Sequence, residues 1–239
     1  EITWKVKQGA LYKNDLMFLD FLASNNWERP IYFANPSSMG KVFDVDEYCH
    51  MEGFVYRFMP VKAKEFIPNI GGVYTDASYD ILMNKCKFGN LNDPDVTVDR
   101  ESYRNSRMPR QNFLRLAQAL INEGRNEEAI AALDTCIYYF PDRKIHFDLL
   151  MVPFAKAYYD AGAVDKANAL VERLSEIYTD ELGYYASLDP AFVDTYYNTN
   201  LRQALSVLQE IAQLARRNGQ EKLSAEIDST LMGNIGMFQ

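Results

Sequence analysis

The second half of the chain contains an internal repeat, and this repeat constrains the fold more than any other feature. Residues 112–141 align with residues 150–179 on Gly124 and Gly162, at an offset of 38 residues. Apolar and small side chains recur at matching positions: Phe113, Leu116, Ala117, Leu120, Ala129 and Leu133 correspond to Met151, Phe154, Ala155, Tyr158, Ala167 and Val171. A period of this length predicts stacked units that each contain a pair of helices.

The spacing resembles the tetratricopeptide repeat, a helical hairpin with small residues where its two helices approach and a proline at its end. In the first copy, Ala117 and Ala129 are the small residues, Gly124 marks the turn and Pro141 closes the repeat. The second copy has Thr179 in place of the closing proline, and the usual period is about 34 residues. We therefore predict tetratricopeptide-like hairpins with a longer turn between repeats.

A third, atypical hairpin is predicted to follow. Asp189 and Pro190 suit the N-cap and first turn of a helix that could run to Arg217, and Gly219 suits the next turn. Ser224 and Asp228 stand where alanine and an apolar residue are expected. Polar substitutions of this kind are typical of a capping repeat. The predicted hairpins cover about residues 104–141, 147–182 and 189–232.

The first hundred residues have a different periodicity. Short apolar or alternating runs predict strands at residues 2–7, 30–34 and 53–61. Helical spacing predicts helices at residues 15–26 and 76–89, the second capped by Asp76 and closed by Gly89. Strands that alternate with helices predict a small α/β layer, followed by a polar connector at residues 89–99. The sequence thus predicts an α/β domain over residues 1–99 and an all-α region over residues 100–239.

Charge and cysteine content exclude some classes of ligand. The formal net charge is -8 and no long basic run is present, so we expect no nucleic-acid partner. Cys49, Cys86 and Cys136 are widely spaced, and with only His50 and His146 they form no usual zinc ligand set. We therefore expect no metal and no cofactor. No apolar run approaches the roughly 18 residues of a spanning helix, and the start without a leader suggests a piece of a longer protein.

No group of residues predicts a catalytic centre. The densest reactive group is Cys-His-Met-Glu at residues 49–52, but adjacent side chains of a strand or helix point in different directions. Cys49 and His50 are therefore not expected to act as nucleophile and base. The connector carboxylates Asp93 and Asp95 lack the spacing of a calcium loop. We predict no catalytic residue in this chain.

Four arginines lie within eleven residues of an otherwise acidic chain: Arg100, Arg104, Arg107 and Arg110. Guanidinium groups bind phosphate and carboxylate through paired hydrogen bonds, so this cluster is a candidate anion site. The alternative, which we favour, is that the arginines pair with carboxylates of the protein and fix the α/β layer against the helices.

Adjacent tyrosines mark the helical half, at residues 138–139, 158–159, 184–185 and 196–197. Neighbours on a helix diverge by about 100°, so one tyrosine of a pair can lie in the core while the other is exposed. Exposed tyrosines on helical repeats are a common means of binding peptides. Tyr158 and Tyr159 are the candidate binding pair.

The segment at residues 22–36 joins a predicted helix to a predicted strand. Asn25 and Asn26 can end the helix, one of them in the left-handed conformation, and Arg29 precedes a proline that forces extension. Trp27 is then most simply a hydrophobic plug over the junction. Glycan sites also favour tryptophan beside asparagine and arginine, so Trp27 and Arg29 are candidate ligand contacts as well.

Three runs of sequence, at residues 21–34, 46–62 and 78–90, carry a further resemblance. Together with the helical repeats they are similar to the C-terminal soluble region of a family of large Bacteroidetes membrane proteins, long catalogued as a domain of unknown function and similar to the GT-C protein O-mannosyltransferases. The run Asn-Asn-Trp-x-Arg-Pro-Ile-Tyr-Phe-Ala at residues 25–34 is its most specific part.

The resemblance implies a preceding multispan domain that transfers a sugar from a polyprenyl-phosphate donor to a hydroxyl acceptor on the periplasmic side of the inner membrane. The acidic catalytic residue of that domain has no counterpart here. The expected function is therefore that of a non-catalytic periplasmic region, which binds an acceptor protein, a partner or a glycan through its helical repeats. It would reach the membrane and the polyprenyl-linked sugar only through the preceding part.

Two alternatives remain open. The first is a self-contained enzyme that acts on glycans or phosphoesters, with Trp27, Arg29 and the arginine cluster in its pocket. The second is a structural spacer without a ligand. A deep pocket that converges on arginines and carboxylates favours the enzyme, whereas an open surface lined by tyrosines favours the binding module.

Overall fold

The computed structural model describes residues 11–34, 45–68 and 70–235. The chain packs as two compact units: residues 1–89 with 108–119 form the first, and residues 90–107 with 120–239 form the second. The division at residues 99 and 100 stays a prediction, because packing alone does not show which parts fold independently.

The described part of the first unit contains a small mixed sheet of four strands. The strands are β1 (Ile31–Phe33), β2 (Cys49–Glu52), β3 (Val55–Phe58) and β4 (Gly72–Val73). Their order across the sheet is β1-β3-β2-β4; β1 and β2 pair antiparallel with β3, and β4 pairs parallel with β2. The helices are α1 (Lys13–Asn25) and α2 (Thr75–Tyr79), which continues as a π-helical segment (Asp80–Lys85).

The hairpin between β2 and β3 depends on one glycine. Glu52 pairs with Val55, so Gly53 and Phe54 form a two-residue loop. Gly53 has a φ of 68°, and a positive φ at the first loop position alone is the requirement of a type II′ turn. A Cβ atom at Gly53 would lie 2.4 Å from Cγ2 of Ile81. Glycine is therefore needed both for the turn and for the close approach of the π-helical segment that follows α2.

Aromatic rings form the core beside the sheet. Phe58 is buried, and its ring centroid lies 5.9 Å from that of Phe18, 6.2 Å from that of Tyr48 and 5.6 Å from that of Trp27. Phe33 adds an edge-on contact at 6.5 Å. Four other segments of the chain therefore meet on one side chain of β3.

The second unit is helical. Its helices are α3 (Arg100–Asn105), α5 (Asn126–Tyr139), α6 (Val152–Asp160), α7 (Val164–Ala186), α8 (Pro190–Tyr196), α9 (Asn198–Arg217) and α10 (Glu221–Ile235), and α4 (Arg107–Asn122) contributes its ends. A 3-10 turn (Leu149–Met151) precedes α6. The long helix α7 packs against α6, α9 and α10.

Three left-handed glycines make the turns between successive helices. Gly124, Gly162 and Gly219 have φ values of 77°, 85° and 75° and separate α4 from α5, α6 from α7, and α9 from α10. These turns confirm the predicted positions. The small residues Ala129 and Ala167 are fully buried, as close helix approach requires.

The coarse prediction is confirmed: a small sheet-containing region precedes a helical region. The predicted strands at residues 30–34 and 53–61 correspond to shorter strands, β1 and β3, and the predicted helix at 15–26 corresponds to α1. The strand predicted at residues 2–7 lies outside the described residues. The sequence did not predict β2 or β4.

Two helix predictions were wrong. Asp76 does not cap its helix, because α2 begins at Thr75 with Tyr74 at the N-cap position, and the helical segment ends at Lys85 instead of reaching Gly89. The helix that starts at Pro190 does not run unbroken to Arg217. It ends at Tyr196, and α9 begins after Tyr197, whose backbone leaves the helical region.

Candidate functional site

The junction after α1 is a turn with two left-handed residues. Asn26 and Trp27 have φ values of 45° and 61°. The side chain of Asn25 donates a 2.8 Å hydrogen bond from Nδ2 to the carbonyl oxygen of Arg29. Asparagine tolerates the left-handed region, so the expected helix end is confirmed, whereas tryptophan is strained there.

Trp27 covers the core at this junction. Its ring stacks on that of Phe58 with an interplanar angle of 15°, yet 48% of the residue is exposed. Trp27 therefore packs on Phe58 at the junction while about half of the residue stays exposed. Arg29 is exposed beside it in sequence.

The Cys-His-Met-Glu segment is strand β2, and all four of its residues are buried. His50 Nε2 lies 2.9 Å from the carbonyl oxygen of Val61, and burial, with the nearby charge of Asp46, raises the pKa of Cys49 to about 12. A thiol with such a pKa stays protonated at neutral pH and is a poor nucleophile. This segment supports the sheet.

A buried arginine that the sequence did not single out joins α4 to the sheet. Arg115 donates from Nη1 to the Tyr56 hydroxyl at 2.6 Å and from Nη2 to the carbonyl oxygen of Gly71 at 2.8 Å. Burial lowers the pKa of Arg115, and its buried Nε has no hydrogen-bond partner within the part of the chain that the structure describes. Asn112, one turn earlier, donates a 2.8 Å hydrogen bond to the carbonyl oxygen of Gly53. Both residues act as structural ties within the first unit.

The four clustered arginines have different environments. Arg100 and Arg104 are exposed on α3, and Arg104 makes a 3.7 Å ion pair with Glu101. Arg107 pairs with Asp148 at 3.0 Å. Arg110 is buried. Arg107 therefore forms an ion pair with a carboxylate of the protein, and the anion site and the structural alternative both stay predictions.

Tyr158 and Tyr159, the candidate binding pair, are both buried in α6. The Tyr158 hydroxyl donates to Asp134 at 2.9 Å, and the Tyr159 hydroxyl donates to Asn168 at 2.5 Å. Burial, reinforced by Asp134, raises the pKa of Tyr158. The two rings diverge as neighbours on a helix do, but neither offers a free face, so the expected exposed partner is missing from this pair.

An exposed group of aromatic side chains lies where α7, α8 and α9 meet. We call Tyr184, Phe192, Tyr196 and Tyr197 the aromatic surface. Tyr184, Phe192 and Tyr196 are 53%, 45% and 68% exposed, and Tyr197 is half-buried. The ring centroids of Phe192 and Tyr196 are 4.8 Å apart, and those of Phe192 and Tyr197 are 5.8 Å apart. The tyrosine pairs indicated part of this surface, whereas Phe192 carried no sequence signal.

Tyr185 supports the aromatic surface from below. Its ring is buried 5.2 Å from that of Tyr197, and its hydroxyl donates to Glu181. Burial and this carboxylate raise the pKa of Tyr185, so the hydroxyl remains a donor at neutral pH. The carboxylate of Glu181 is thereby held beside the aromatic rings.

A shallow groove lies nearby along α9, between its middle and the start of α6. Its volume is about 270 Å³, and it is lined by Leu149, Val152, Pro153, Gln203, Ser206, Val207 and Glu210. The Tyr178 hydroxyl makes hydrogen bonds to Gln203 and to the backbone of Leu149 at its edge. An apolar floor with a few polar groups suits a short segment of another chain.

Comparison with known proteins gives one match. Residues 1–77 match the family model described as TMEM260-associated domain 2. No curated protein and no solved structure matches the chain. None of the helices in the described ranges is both long and apolar enough to cross a bilayer. Over about a third of its 239 residues, the chain is therefore similar to a domain of TMEM260-like membrane proteins.

Proposed function

We propose that this chain is a non-catalytic binding region of a membrane glycosyltransferase-like protein and that it lies on the periplasmic side of the inner membrane. Its helical unit holds an acceptor protein, a partner subunit or a glycan close to the membrane active site. The observation that carries this proposal is the aromatic surface: three large rings are about half exposed or more at one place in the helical unit. Exposed groups of this kind mark interaction sites.

The arrangement of the helices supports a tetratricopeptide-like array as part of the proposal. Short glycine turns separate the helices of each hairpin, and α7 packs against both its own partner α6 and the following helices α9 and α10. In such arrays the first helices of successive hairpins line the binding face. The groove between α6 and α9 lies between two such first helices.

The membrane context rests on a different observation. The match over residues 1–77 is to a domain associated with a membrane protein, and the resemblance of residues 25–34 is to the C-terminal region of GT-C-like proteins. Catalysis then belongs to a membrane domain outside this sequence. Trp27, Arg29, Arg100 and Arg104 expose their side chains and are kept in the proposal as secondary contacts.

Selection of ligands from a library of random peptides displayed on phage tests the proposal. The purified chain should enrich peptides that bind saturably, and the double variant Tyr184→Ala/Tyr196→Ala should lose that binding. Tyr138→Ala is the matched control, because Tyr138 is 60% exposed but lies on α5. Failure to enrich any peptide, or equal binding by parent and double variant, would contradict a peptide-binding role for the aromatic surface.

A second assay separates the binding module from the enzyme. The chain is incubated with a polyprenyl-phosphate-linked sugar, and released sugar is measured. We expect no release, because the chain carries no catalytic residue in this proposal. Sustained release by the isolated chain would overturn the proposal in favour of a self-contained enzyme.

A further inference from the structure

The aromatic surface lies in the most one-sidedly charged part of the second unit. Between Leu174 and Leu201 the sequence contains five carboxylates and no lysine, arginine or histidine, although the whole chain has 25 lysines and arginines. The carboxylates are Glu176, Asp180, Glu181, Asp189 and Asp194. The same stretch contributes all the rings of the aromatic surface.

Not all of these carboxylates are neutralised within the protein. Glu176 forms an ion pair with Arg173. Glu181 accepts from the Tyr185 hydroxyl, and Asp194 accepts from the side-chain amide of Asn198 at 2.7 Å. Hydrogen bonds from neutral groups orient a carboxylate but leave its negative charge in place. The stretch that carries the rings therefore keeps a net negative charge, even with Arg173 and Arg202 at its two ends.

Aromatic faces and carboxylates attract the same kind of ligand. The face of a tyrosine or phenylalanine ring carries negative potential and binds cations, and a nearby carboxylate adds to that attraction. Glu181, held by the Tyr185 hydroxyl, is the carboxylate beside these rings. Asp194 is two residues from both Phe192 and Tyr196 on α8 and points away from the face that the two rings share. Nucleic acids and anionic lipids are repelled by such a surface, and a second copy of this chain would bring its own net charge of -8.

We propose that the aromatic surface binds an extended segment of a partner protein that carries lysine or arginine, with the cation over the Phe192 and Tyr196 rings. This inference rests on the proposed function and specifies the chemistry of its ligand. Charge complementarity selects the partner, while ring stacking supplies most of the buried area.

Fluorescence anisotropy with matched peptides tests this directly. The probes are fluorescein-labelled peptides of one Ser/Leu/Thr sequence in which two fixed positions are both lysine, both arginine, both glutamine or both glutamate. We expect the lysine and arginine peptides to bind about tenfold more tightly than the glutamine peptide. Their affinity should fall when the salt concentration rises from about 50 to about 300 mM.

Substitutions in the protein show which residues bind the charged peptides. Phe192→Ala/Tyr196→Ala should weaken the lysine peptide about tenfold, and Glu181→Gln should weaken it several-fold without affecting the glutamine peptide. Tyr138→Ala and Glu127→Gln, on α5, are the controls and should change nothing. Circular dichroism checks that each variant is folded.

The outcomes separate this inference from the proposed function. If the glutamine peptide binds as tightly as the lysine peptide and both depend on Phe192 and Tyr196, the inference is overturned while the binding role stands. If none of the four peptides binds, the inference fails, and the phage selection alone decides the binding role. If sedimentation shows self-association that the Phe192→Ala/Tyr196→Ala variant abolishes, the occupant is a second copy, and the inference is again overturned.

Discussion

The guanidinium group of Arg115 donates a 2.6 Å hydrogen bond to the hydroxyl of Tyr56, and it links helix α4 to strand β3. Arg115 also binds the carbonyl oxygen of Gly71, just before β4. No ion pair of Arg115 with a carboxylate is found among the described residues. Burying a charged group without a counter-ion costs free energy. The hydrogen bonds to Tyr56 and Gly71 must offset this cost if Arg115 is to stabilise the fold.

Replacing Arg115 tests this tie. Arg115→Met should lower the free energy of unfolding by about 2–4 kcal/mol, because it removes the donor to the buried Tyr56 hydroxyl and one of the two donors to the Gly71 carbonyl oxygen. Urea unfolding followed by circular dichroism measures the change. Arg104→Met is the control and should cost less than about 0.5 kcal/mol, since its ion pair is exposed. Equal stability of the two variants would show that Arg115 is not a structural tie.

Trp27 combines a favourable stack with an unfavourable backbone conformation. Trp27→Ala should destabilise the chain by about 1–2 kcal/mol through loss of the contact with Phe58. Trp27→Gly loses the same contact but relieves the left-handed strain, so it should be about 1 kcal/mol more stable than Trp27→Ala. Thermal unfolding of the two variants provides the comparison. An alanine variant as stable as the glycine variant would contradict the strain at this residue.

Gly53 and Gly89 make a matched pair in the first unit. Both have a positive φ, but a Cβ atom would clash with Ile81 at Gly53 and would meet nothing within 4 Å at Gly89. Gly53→Ala should therefore cost about 2–4 kcal/mol, against about 1 kcal/mol for Gly89→Ala. Denaturant midpoints measure both. Similar costs would mean that Ile81 moves aside and that the close approach is not fixed.

Local chemistry predicted the end of α1, because asparagine accepts the left-handed conformation without help from the rest of the fold. The same reasoning did not find β2 or β4. Cys-His-Met-Glu and Gly-Val have little strand character, and they become strands only through hydrogen bonds with partners distant in sequence. Arg115 was also missed, because its hydrogen-bond partners are distant in sequence. A single arginine in an amphipathic helix is normally interpreted as a surface residue.

The sequence predicted the type of binding surface but not its location in the helical unit. The tyrosine pairs indicated an aromatic binding surface, yet the pair singled out, Tyr158 and Tyr159, is buried on both sides of α6. Helical spacing separates neighbouring side chains by about 100°, which exposes one of them only where the helix is covered on one side. Helix α6 packs against α5, α7 and α9, so both of its tyrosines are enclosed.

Ser224 occupies a core position where an apolar residue is expected. It is fully buried in α10, and its hydroxyl oxygen has no hydrogen-bond partner in the described ranges. Ser224→Ala should raise the free energy of unfolding by about 1–2 kcal/mol, from relief of the unpaired hydroxyl and from helix propensity. Ser229→Ala, at an exposed position of the same helix, isolates the propensity part, about 0.5 kcal/mol. A Ser224→Ala variant no more stable than Ser229→Ala would imply a partner for the Ser224 hydroxyl.

Buried tyrosines make stability sensitive to alkaline pH. Burial, with the charges of Asp148 and Glu181, raises the pKa of Tyr178 to about 12, above its ordinary value of about 10. The folded state then holds this proton more tightly than the unfolded state. Its contribution to stability is fully present below pH 10 and is lost as the pH rises toward 12.

Urea unfolding between pH 7 and about 11.5 measures this loss. The free energy of unfolding should fall above about pH 10, and the fall should be shallower for Tyr178→Phe, which has no proton to lose. A parent and a variant with parallel pH dependence would show that Tyr178 does not contribute.

Hydrogen–deuterium exchange with a phage-selected peptide tests the central claim most directly, because it locates the binding site without assuming it. The proposal predicts that the peptide slows exchange at the end of α7, through α8 and along the first half of α9, and leaves α5 unchanged. Protection confined to other helices, or none at a saturating peptide concentration, would contradict the assignment of the aromatic surface as the binding site.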